Sequence, residues 1–210
     1  MANTVAAAAL AMSTLLLPQP DVPPPGAVTI DVVTVNGSGC PQGTVAVTMT
    51  PDNTAFHMVY SDYVALVGVG SRPTDSRKNC QLTLRVNAPQ GYTYGISRVD
   101  YRGFVQLESG ATGTERANYY FQGMAQPAFR SHTWQGPVSD DWQATDEDLP
   151  IVHQSCERRN LNINTELRVS VGTSDPKTTT SFMAMDSTDA YTATVYRLGW
   201  QRRSCAPGTR

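Results

Sequence analysis

The sequence predicts an all-β protein, an antiparallel β-sandwich (jelly-roll-like) folded as a single domain with two disulfides. Short runs that alternate apolar and polar residues, the pattern of half-buried strands, follow one another along most of the chain. Clusters rich in Gly, Pro, Asn and Asp separate these runs and are typical of turns. Helical patterns that could connect parallel strands are nearly absent, so neighbouring strands are expected to be antiparallel.

The clearest strand candidate is residues 161–171, where Leu161, Ile163 and Leu167 fall on one face of the predicted strand. The same alternation predicts eight further strands. In chain order the nine candidates are residues 27–35, 44–49, 54–60, 80–86, 92–107, 116–123, 161–171, 180–185 and 191–200. Residues 126–154 are less regular and richer in Pro and acidic side chains. We expect them to form a long excursion from the domain.

Four cysteines, Cys40, Cys80, Cys156 and Cys205, form an even and widely spaced set without a C-x-x-C pair. This spacing does not match a zinc site and favours two structural disulfides in an exported protein. Four cysteines allow three connectivities. Cys40–Cys80 with Cys156–Cys205 is preferred, because neighbours along the chain close the shorter loops.

Composition limits the partners that the protein can have. Charged residues make up only 16% of the chain, below the roughly 25% of typical soluble domains, and neutral polar residues fill the difference. Such a surface is common in secreted all-β proteins. The formal net charge of −2 argues against nucleic acid as a partner, because phosphates demand a strong basic excess.

The N-terminus predicts export. Val5 to Leu17 form an apolar run of the length of a signal-peptide core, too short to span a bilayer. No Lys or Arg precedes the run, and a buried helix is the alternative interpretation. We expect residues 1–26 to be a leader with a Pro-rich spacer, residues 27–205 a secreted β-sandwich domain without a transmembrane segment, and residues 206–210 a disordered tail.

Several stretches also resemble a known family, a set of small secreted proteins of filamentous fungi and actinobacteria that is catalogued as a domain of unknown function. The matching stretches include VNGSGCPQGTV, SDYVALVGVG, DSRKNCQL, DYRGF, YYFQG and NLNINTELRV. The resemblance covers about residues 28–205 and implies an extracellular β-rich domain with paired cysteines. It implies no established activity. Two departures are SCE at the third cysteine, where the family has PCG, and the residues APGTR after Cys205.

The stretch RPTDSRKN, just before the strand candidate at residues 80–86, contains the first candidate site. Asp75 and Arg77 share one strand parity and predict an acid–guanidinium pair, with Lys78 beside the disulfide. One interpretation is a turn in which Asp75 accepts backbone N–H groups. The other is a contact with an anion or a uronic acid, made by Arg72, Arg77 and Lys78. The turn is favoured.

The stretches DYRGF and RANYYFQG supply the remaining candidates. Asp100 and Arg102 share a face and predict a surface ion pair, whereas Tyr101 points to the opposite face. A catalytic carboxylate at Asp100 is the less favoured alternative. Aromatic rings such as Tyr120 could form a platform for sugars, but packing of these alternate aromatics in the core and at strand edges is favoured. The candidate ligand contacts are therefore Asp75, Arg77, Lys78, Asp100, Tyr101, Arg102 and Tyr120.

Other chemistries have weaker support in the sequence. His57, His132 and His153 are the only histidines, and no G-x-S-x-G elbow is present, so a serine hydrolase is not expected. The acidic stretch SDDWQATDEDL does not match an EF-hand and favours a solvated loop over a calcium site. No cofactor or metal is expected. N-G-S at Asn36 is a glycosylation acceptor in a eukaryotic secretory pathway.

These observations favour a secreted, non-catalytic binding module that acts outside the cell or at the cell surface, with an extracellular polysaccharide or cell-wall component as its partner. The first alternative is a carbohydrate-active enzyme that uses carboxylates such as Asp75 or Asp100. The second is a secreted toxin or effector that acts on a protein or a membrane.

Overall fold

A computed structural model describes residues 21–127, 129–147, 158–185 and 193–203. These residues form twelve strands: β1 (Thr29–Asn36), β2 (Val45–Met49), β3 (Ala55–Tyr60), β4 (Val64–Gly68), β5 (Arg77–Asn87), β6 (Tyr92–Leu107), β7 (Thr112–Phe121), β8 (Arg130–Gln135), β9 (Val138–Asp146), β10 (Leu161–Ser170), β11 (Thr180–Met185) and β12 (Thr194–Arg202). A short 3-10 turn, Pro73–Ser76, precedes β5.

The strands form two sheets, and every strand pair is antiparallel. The five-stranded sheet has the order β1-β5-β10-β7-β8. The seven-stranded sheet has the order β2-β3-β12-β6-β11-β4, with β9 also paired to β6. The predicted all-β, antiparallel two-sheet fold is therefore confirmed.

The core lies between the inner faces of the two sheets, where aromatic side chains from both sheets meet. The ring centroids of Tyr94 on β6 and Phe121 on β7 are 5.2 Å apart. Those of Tyr119 on β7 and Tyr196 on β12 are 6.3 Å apart. Burial of such rings supplies a large share of the apolar area that stabilises a two-sheet domain.

Two strands, β8 and β9, lie in the stretch that was expected to be an irregular excursion. The pair connects the sheets, because β8 pairs with β7 and β9 pairs with β6. Their inward positions include His132 and Asp146 as well as Trp134 and Trp142, whose rings are 4.8 Å apart. Polar residues at inward positions interrupt the apolar alternation, which explains why the excursion prediction was wrong here.

A glycine in the DYRGF stretch allows close packing between strands. A Cβ atom at Gly103 would lie 2.0 Å from the carbonyl oxygen of Ala184 and 2.6 Å from the indole ring of Trp142. The absence of a side chain lets Trp142 lie against β6 and donate its indole N–H to the Ala184 carbonyl oxygen at 3.1 Å. Gly103 is thus required by packing between β6, β9 and β11.

The disulfide between Cys40 and Cys80 is confirmed, with the two Cα atoms 5.3 Å apart. It closes a loop across 40 residues, which stabilises the fold by about 4 kcal/mol in the chain-entropy model. Cys156 and Cys205, which were expected to form the second disulfide, lie outside the described residues.

The end of the predicted Pro-rich spacer packs against the domain. Pro23 is buried, and the Asn53 side-chain amide donates to the Pro23 carbonyl oxygen at 3.3 Å and to that of Pro24 at 2.5 Å. The Gly26 N–H bonds to the Pro51 carbonyl oxygen. Residues 1–20 of the predicted leader and spacer (1–26), and the predicted tail at 206–210, lie outside the described ranges. Within those ranges, no helix is long and apolar enough to cross a membrane.

Candidate ligand-binding face

The outer face of the five-stranded sheet is polar, because strands β5 and β10 alternate in register. Along β10, Leu161 and Ile163 are buried against the core, and Asn162 and Asn164 point outward. Along β5, Leu82 is buried between the outward-facing Gln81 and Thr83. The β5–β10 register places Gln81 opposite Asn164 and Thr83 opposite Asn162, so amides and hydroxyls form a continuous band.

A depression in this face, here called the amide groove, has a volume of about 210 Å³. Residues from β1, β5, β7, β10 and the segment after β7 line it: Thr34, Asn36, Gln81, Leu82, Thr83, Tyr120, Gln126, Asn162 and Asn164. Eight of these nine side chains are polar, and none is charged. The groove therefore offers neutral hydrogen-bond donors and acceptors beside one aromatic ring.

Buried hydrogen bonds hold one wall of the groove in place. Asn118 on β7 is only 2% exposed, and its side-chain oxygen accepts hydrogen bonds from the amides of Asn164 at 3.0 Å and Gln126 at 3.5 Å. The Asn118 amide in turn donates to the carbonyl oxygen of Pro127 at 3.0 Å. These bonds fix the rotamers of two groove residues and so pre-organise the wall.

Next to the groove lies a group of charges, here called the arginine cluster: Arg77, Arg116 and Arg168 around Glu166. The Glu166 carboxylate accepts from Arg77 Nε at 2.6 Å and pairs with Arg116 Nε at 3.0 Å. An Arg168 guanidinium nitrogen lies 3.4 Å from the same carboxylate. Burial alone would raise the pKa of Glu166, but the hydrogen bonds from Arg77 and Arg116 outweigh it and lower the pKa below its usual value.

Asp75 lies in the turn before β5 and is held by its neighbours in the sequence. Its carboxylate accepts from the Arg72 backbone N–H at 3.0 Å, the Arg72 guanidinium at 3.1 and 3.2 Å, and Lys78 Nζ at 2.9 Å. Arg72 first, and then Lys78, lower the pKa of Asp75 far below its usual range. The partner of Arg77 is Glu166 on β10, whereas Asp75 pairs with Arg72 and Lys78, so the predicted pair between Asp75 and Arg77 does not form.

Asp100 lies on the outer face of the other sheet and is paired. Arg98 Nε donates to its carboxylate at 2.9 Å, as does the Thr145 hydroxyl at 2.9 Å, and Arg197 Nε lies 3.5 Å away. Asp100 thus forms ion pairs with Arg98 and Arg197, and not with Arg102 as the sequence predicted. Burial would raise the pKa of Asp100, but the Arg98 and Thr145 hydrogen bonds outweigh it and lower the pKa.

The remaining predicted ligand contacts, Tyr101, Arg102 and Tyr120, lie on different faces of the fold. Tyr101 is fully buried in the core, whereas Arg102 is exposed on the outer face of the seven-stranded sheet. Tyr120 lines the amide groove, on the opposite face of β7 from Tyr119. Of the predicted ligand contacts, Tyr120 and Arg77 therefore lie on the same outer face as the groove.

A second polar cluster, which the sequence did not predict, lies inside the core. Asp146 accepts hydrogen bonds from the hydroxyls of Tyr119 and Tyr101, and its other oxygen lies 2.9 Å from His132 Nε2. Glu115 faces the same space, is 0% exposed, and has no hydrogen-bond partner for either oxygen among the described residues. Burial, followed by the charge of Asp146, raises the pKa of Glu115 well above its usual value.

The polar cluster in the core and the arginine cluster on the outer face differ in their access to solvent. Glu115 and Asp146 are 0% and 2% exposed, so a polymer cannot reach them without a large opening of the fold. The outer face is open to solvent and combines neutral amides with guanidinium groups. In the described part of the chain, no group of three His, Cys, Asp or Glu side chains could hold a metal ion.

The structure thus defines a two-sheet antiparallel β-sandwich, whose five-stranded sheet has a polar outer face with a groove. A family model described as "Domain of unknown function (DUF4360)" matches residues 26–205, and the chain belongs to this family. This result confirms the resemblance seen in the sequence.

A protein of Arthroderma benhamiae, named "Uncharacterized secreted protein", is 33% identical to this chain over 185 residues. The match covers 87% of this chain and 74% of the relative. Among solved structures, the enzymatically active domain of tailspike protein 4 of bacteriophage CBA120 is 10% identical with a TM-score of 0.26. That match covers 85% of this chain and 20% of the tailspike chain, and it is too weak to carry an inference about fold or function.

Proposed function

We propose that this protein is a secreted, non-catalytic binding module whose amide groove holds a polysaccharide. One observation carries the proposal: eight of the nine residues that line the groove have neutral polar side chains, and one of the eight is Tyr120, which supplies an aromatic ring. The extracellular location rests on the secreted relative, the signal-like leader and the Cys40–Cys80 disulfide.

The chemistry of the groove matches sugars. Each sugar hydroxyl is both a donor and an acceptor, and each Asn or Gln side chain offers two donors and an acceptor oxygen. A tyrosine ring such as Tyr120 adds a flat apolar surface for the C–H face of a pyranose, with a hydroxyl at its edge. Because Asn118 holds Asn164 and Gln126, less side-chain entropy is lost when a ligand binds.

Binding is a better match than catalysis. No carboxylate is among the described residues that line the amide groove, whereas hydrolysis of a glycosidic bond commonly requires two carboxyl groups beside it. The enzyme alternative depended on the carboxylates of Asp75 and Asp100. Both carboxylates accept hydrogen bonds from guanidinium groups and have lowered pKa values. A general acid needs the opposite shift, toward a raised pKa.

A binding and product assay tests the proposal. The protein would be produced in a bacterium, which leaves Asn36 unglycosylated, since Asn36 lines the groove. Binding would be measured by pull-down on insoluble polysaccharides and by affinity electrophoresis on soluble ones. The test variant is Gln81→Ala with Tyr120→Ala, which removes an amide and a ring from the groove. The matched control is Gln143→Ala with Phe104→Ala, which removes an amide and a ring from the outer face of the other sheet.

We expect the groove variant to bind at least tenfold more weakly, equivalent to about 1.4 kcal/mol, while the control variant binds like the wild type. Release of soluble sugar would support the carbohydrate-active enzyme instead. Absence of both binding and release would overturn the proposal and favour a protein or membrane target.

A further inference from the structure

The arginine cluster and the amide groove belong to one continuous surface. Asn164 and Glu166 are alternate residues on the outer face of β10, about 7 Å apart along the strand. On β5, Gln81 and Arg77 are the outward residues opposite Asn164 and Arg168. A chain bound in the groove and running along these strands would pass directly over the arginines.

The cluster holds more positive charge than its carboxylate can balance. Three guanidinium groups surround one carboxylate, which leaves an excess of two positive charges. The adjoining turn adds Arg72 and Lys78 against Asp75, so the described residues of this region hold five cations and two carboxylates; Arg72 is 76% exposed, whereas Lys78 is 18% exposed. The whole chain has a net charge of −2, so positive charge is concentrated at this end of the face.

The carboxylate of the arginine cluster is buried, whereas two of its guanidinium groups are exposed to solvent. The Glu166 side chain is 4% exposed and lies beneath the guanidinium groups, whereas the side chains of Arg77 and Arg168 are each 54% exposed. One carboxylate cannot use all the N–H groups of three guanidiniums, because each offers five donors. Planar guanidinium groups bind carboxylates through two parallel hydrogen bonds.

We propose that the arginine cluster is a uronate subsite, which binds the carboxylates of an acidic polysaccharide whose neighbouring sugars lie in the amide groove. This inference rests on the proposed function and narrows its ligand to carboxylated polymers. Arg168 is the principal contact, because it is the most weakly engaged by Glu166 of the three arginines, at 3.4 Å.

Pairs of polysaccharides that share a backbone, of which only one member carries free carboxylates, test the inference. Affinity electrophoresis would compare polygalacturonate with its methyl ester, alginate with its propylene glycol ester, and carboxymethyl cellulose with hydroxyethyl cellulose. Dextran sulfate is the probe for a non-specific polyanion effect. The test variant is Arg168→Gln, which leaves Arg77 and Arg116 to hold Glu166. The control is Arg197→Gln, since Arg197 is 55% exposed and also pairs with a buried carboxylate, but on the other sheet.

We expect the wild type to bind the acidic member of at least one pair tenfold more tightly than the neutral member. Arg168→Gln should weaken that binding at least fivefold, Arg168→Lys should restore part of it, and Arg197→Gln should leave it unchanged. Raising the salt from 0.05 to 0.5 M should weaken binding to the acidic member only, because salt screens exposed charges.

The outcomes separate the two proposals. Equal binding to both members of every pair, or tighter binding to the neutral members, would overturn the uronate subsite and leave the polysaccharide-binding function intact. Binding to dextran sulfate as tight as to the uronates would also overturn it, because the cluster would then respond to any polyanion. Binding to none of the polymers would overturn both proposals.

Discussion

Two glutamates on neighbouring strands of the five-stranded sheet show how differently its two faces treat a carboxyl group. In the β7–β10 register, Glu166 lies opposite Arg116 and Glu115 lies opposite Leu167, so the two side chains point to opposite faces. Glu166 faces outward among three arginines and has a lowered pKa. Glu115 faces the core without a hydrogen-bond partner among the described residues and has a raised pKa.

At these two positions the outer face stabilises the charged form of a glutamate and the inner face disfavours it. On the outer face, charged and amide groups stay solvated and available for a ligand. On the inner face, the same residue type costs stability whenever it ionises, because burial removes its hydration. A charged ligand is therefore expected on the outer face alone.

The largest difference in stability is expected between substitutions at two adjacent residues of β10 whose side chains point to opposite faces of the sheet. Leu167 is 0% exposed in the core, and its replacement by Ala should lower the free energy of unfolding by about 3 kcal/mol through lost contacts and a cavity. Arg168→Ala should change it by less than about 0.5 kcal/mol. Chemical denaturation measures both. Similar effects at the two positions would contradict the assignment of the inner and outer faces.

The second prediction concerns the sign of a pH dependence at Glu115. Its folded pKa is raised above the ordinary value of 4.5, so the folded state holds the proton more tightly than the unfolded state. The contribution of Glu115 to stability is therefore greatest below pH 4.5 and falls as pH rises toward the folded pKa, by up to about 1.4 kcal/mol per pH unit.

Glu115→Gln should remove that loss, so the variant should gain stability over the wild type from pH 5 to 8. Denaturation curves across this range check the prediction. A constant difference at every pH would show that Glu115 does not carry the dependence.

The third prediction concerns the opposite sign at Glu166. Its folded pKa is lowered, so its ion pairs stabilise the protein at pH values above the ordinary pKa of 4.5. This stabilisation is lost as pH falls through the folded pKa. Glu166→Gln should cost about 1 kcal/mol at pH 7, a modest value because the arginines are partly exposed. The cost should vanish near pH 2. A cost that persists there would indicate lost packing instead of lost charge.

The smallest effect on stability is expected at the amide groove. Gln81 is exposed on the outer face, and Gln81→Ala should change the free energy of unfolding by less than about 0.5 kcal/mol. The same change should weaken polysaccharide binding. A large loss of stability without a loss of binding would mean that Gln81 serves the fold and not a ligand.

The sequence predicted nine of the twelve described strands and missed β4 (Val64–Gly68), β8 and β9. The bounds of β6 and β11 agree with the predicted residues 92–107 and 180–185, because inward positions there are mostly hydrophobic. Strands β8 and β9 were missed because His132 and Asp146 occupy inward positions. Local pattern cannot show that a polar side chain faces a core when its partners come from other strands.

The site was predicted only in part, for a related reason. The predicted contacts Tyr120 and Arg77 lie on the groove face, but Glu166 and Arg116, the partners of Arg77, were not predicted. Arg77 and Glu166 are 89 residues apart, and Arg116 and Glu166 are 50 apart. Such pairs depend on strand order. The outward residues of LNINTELRV, which alternate as Asn, Asn, Glu and Arg, were the available signal, and only the apolar half of that pattern entered the prediction.

The central claim is that the ligand lies on the outer face of the five-stranded sheet, and nuclear magnetic resonance tests it most directly. Side-chain amide signals of Gln81, Asn162 and Asn164 would be followed during titration with an oligogalacturonate, beside those of Gln106 and Gln143 on the other sheet. We predict shifts in the first three and none in the last two. Shifts confined to Gln106 and Gln143 would contradict the claim, and no shifts at any concentration would contradict the uronate subsite.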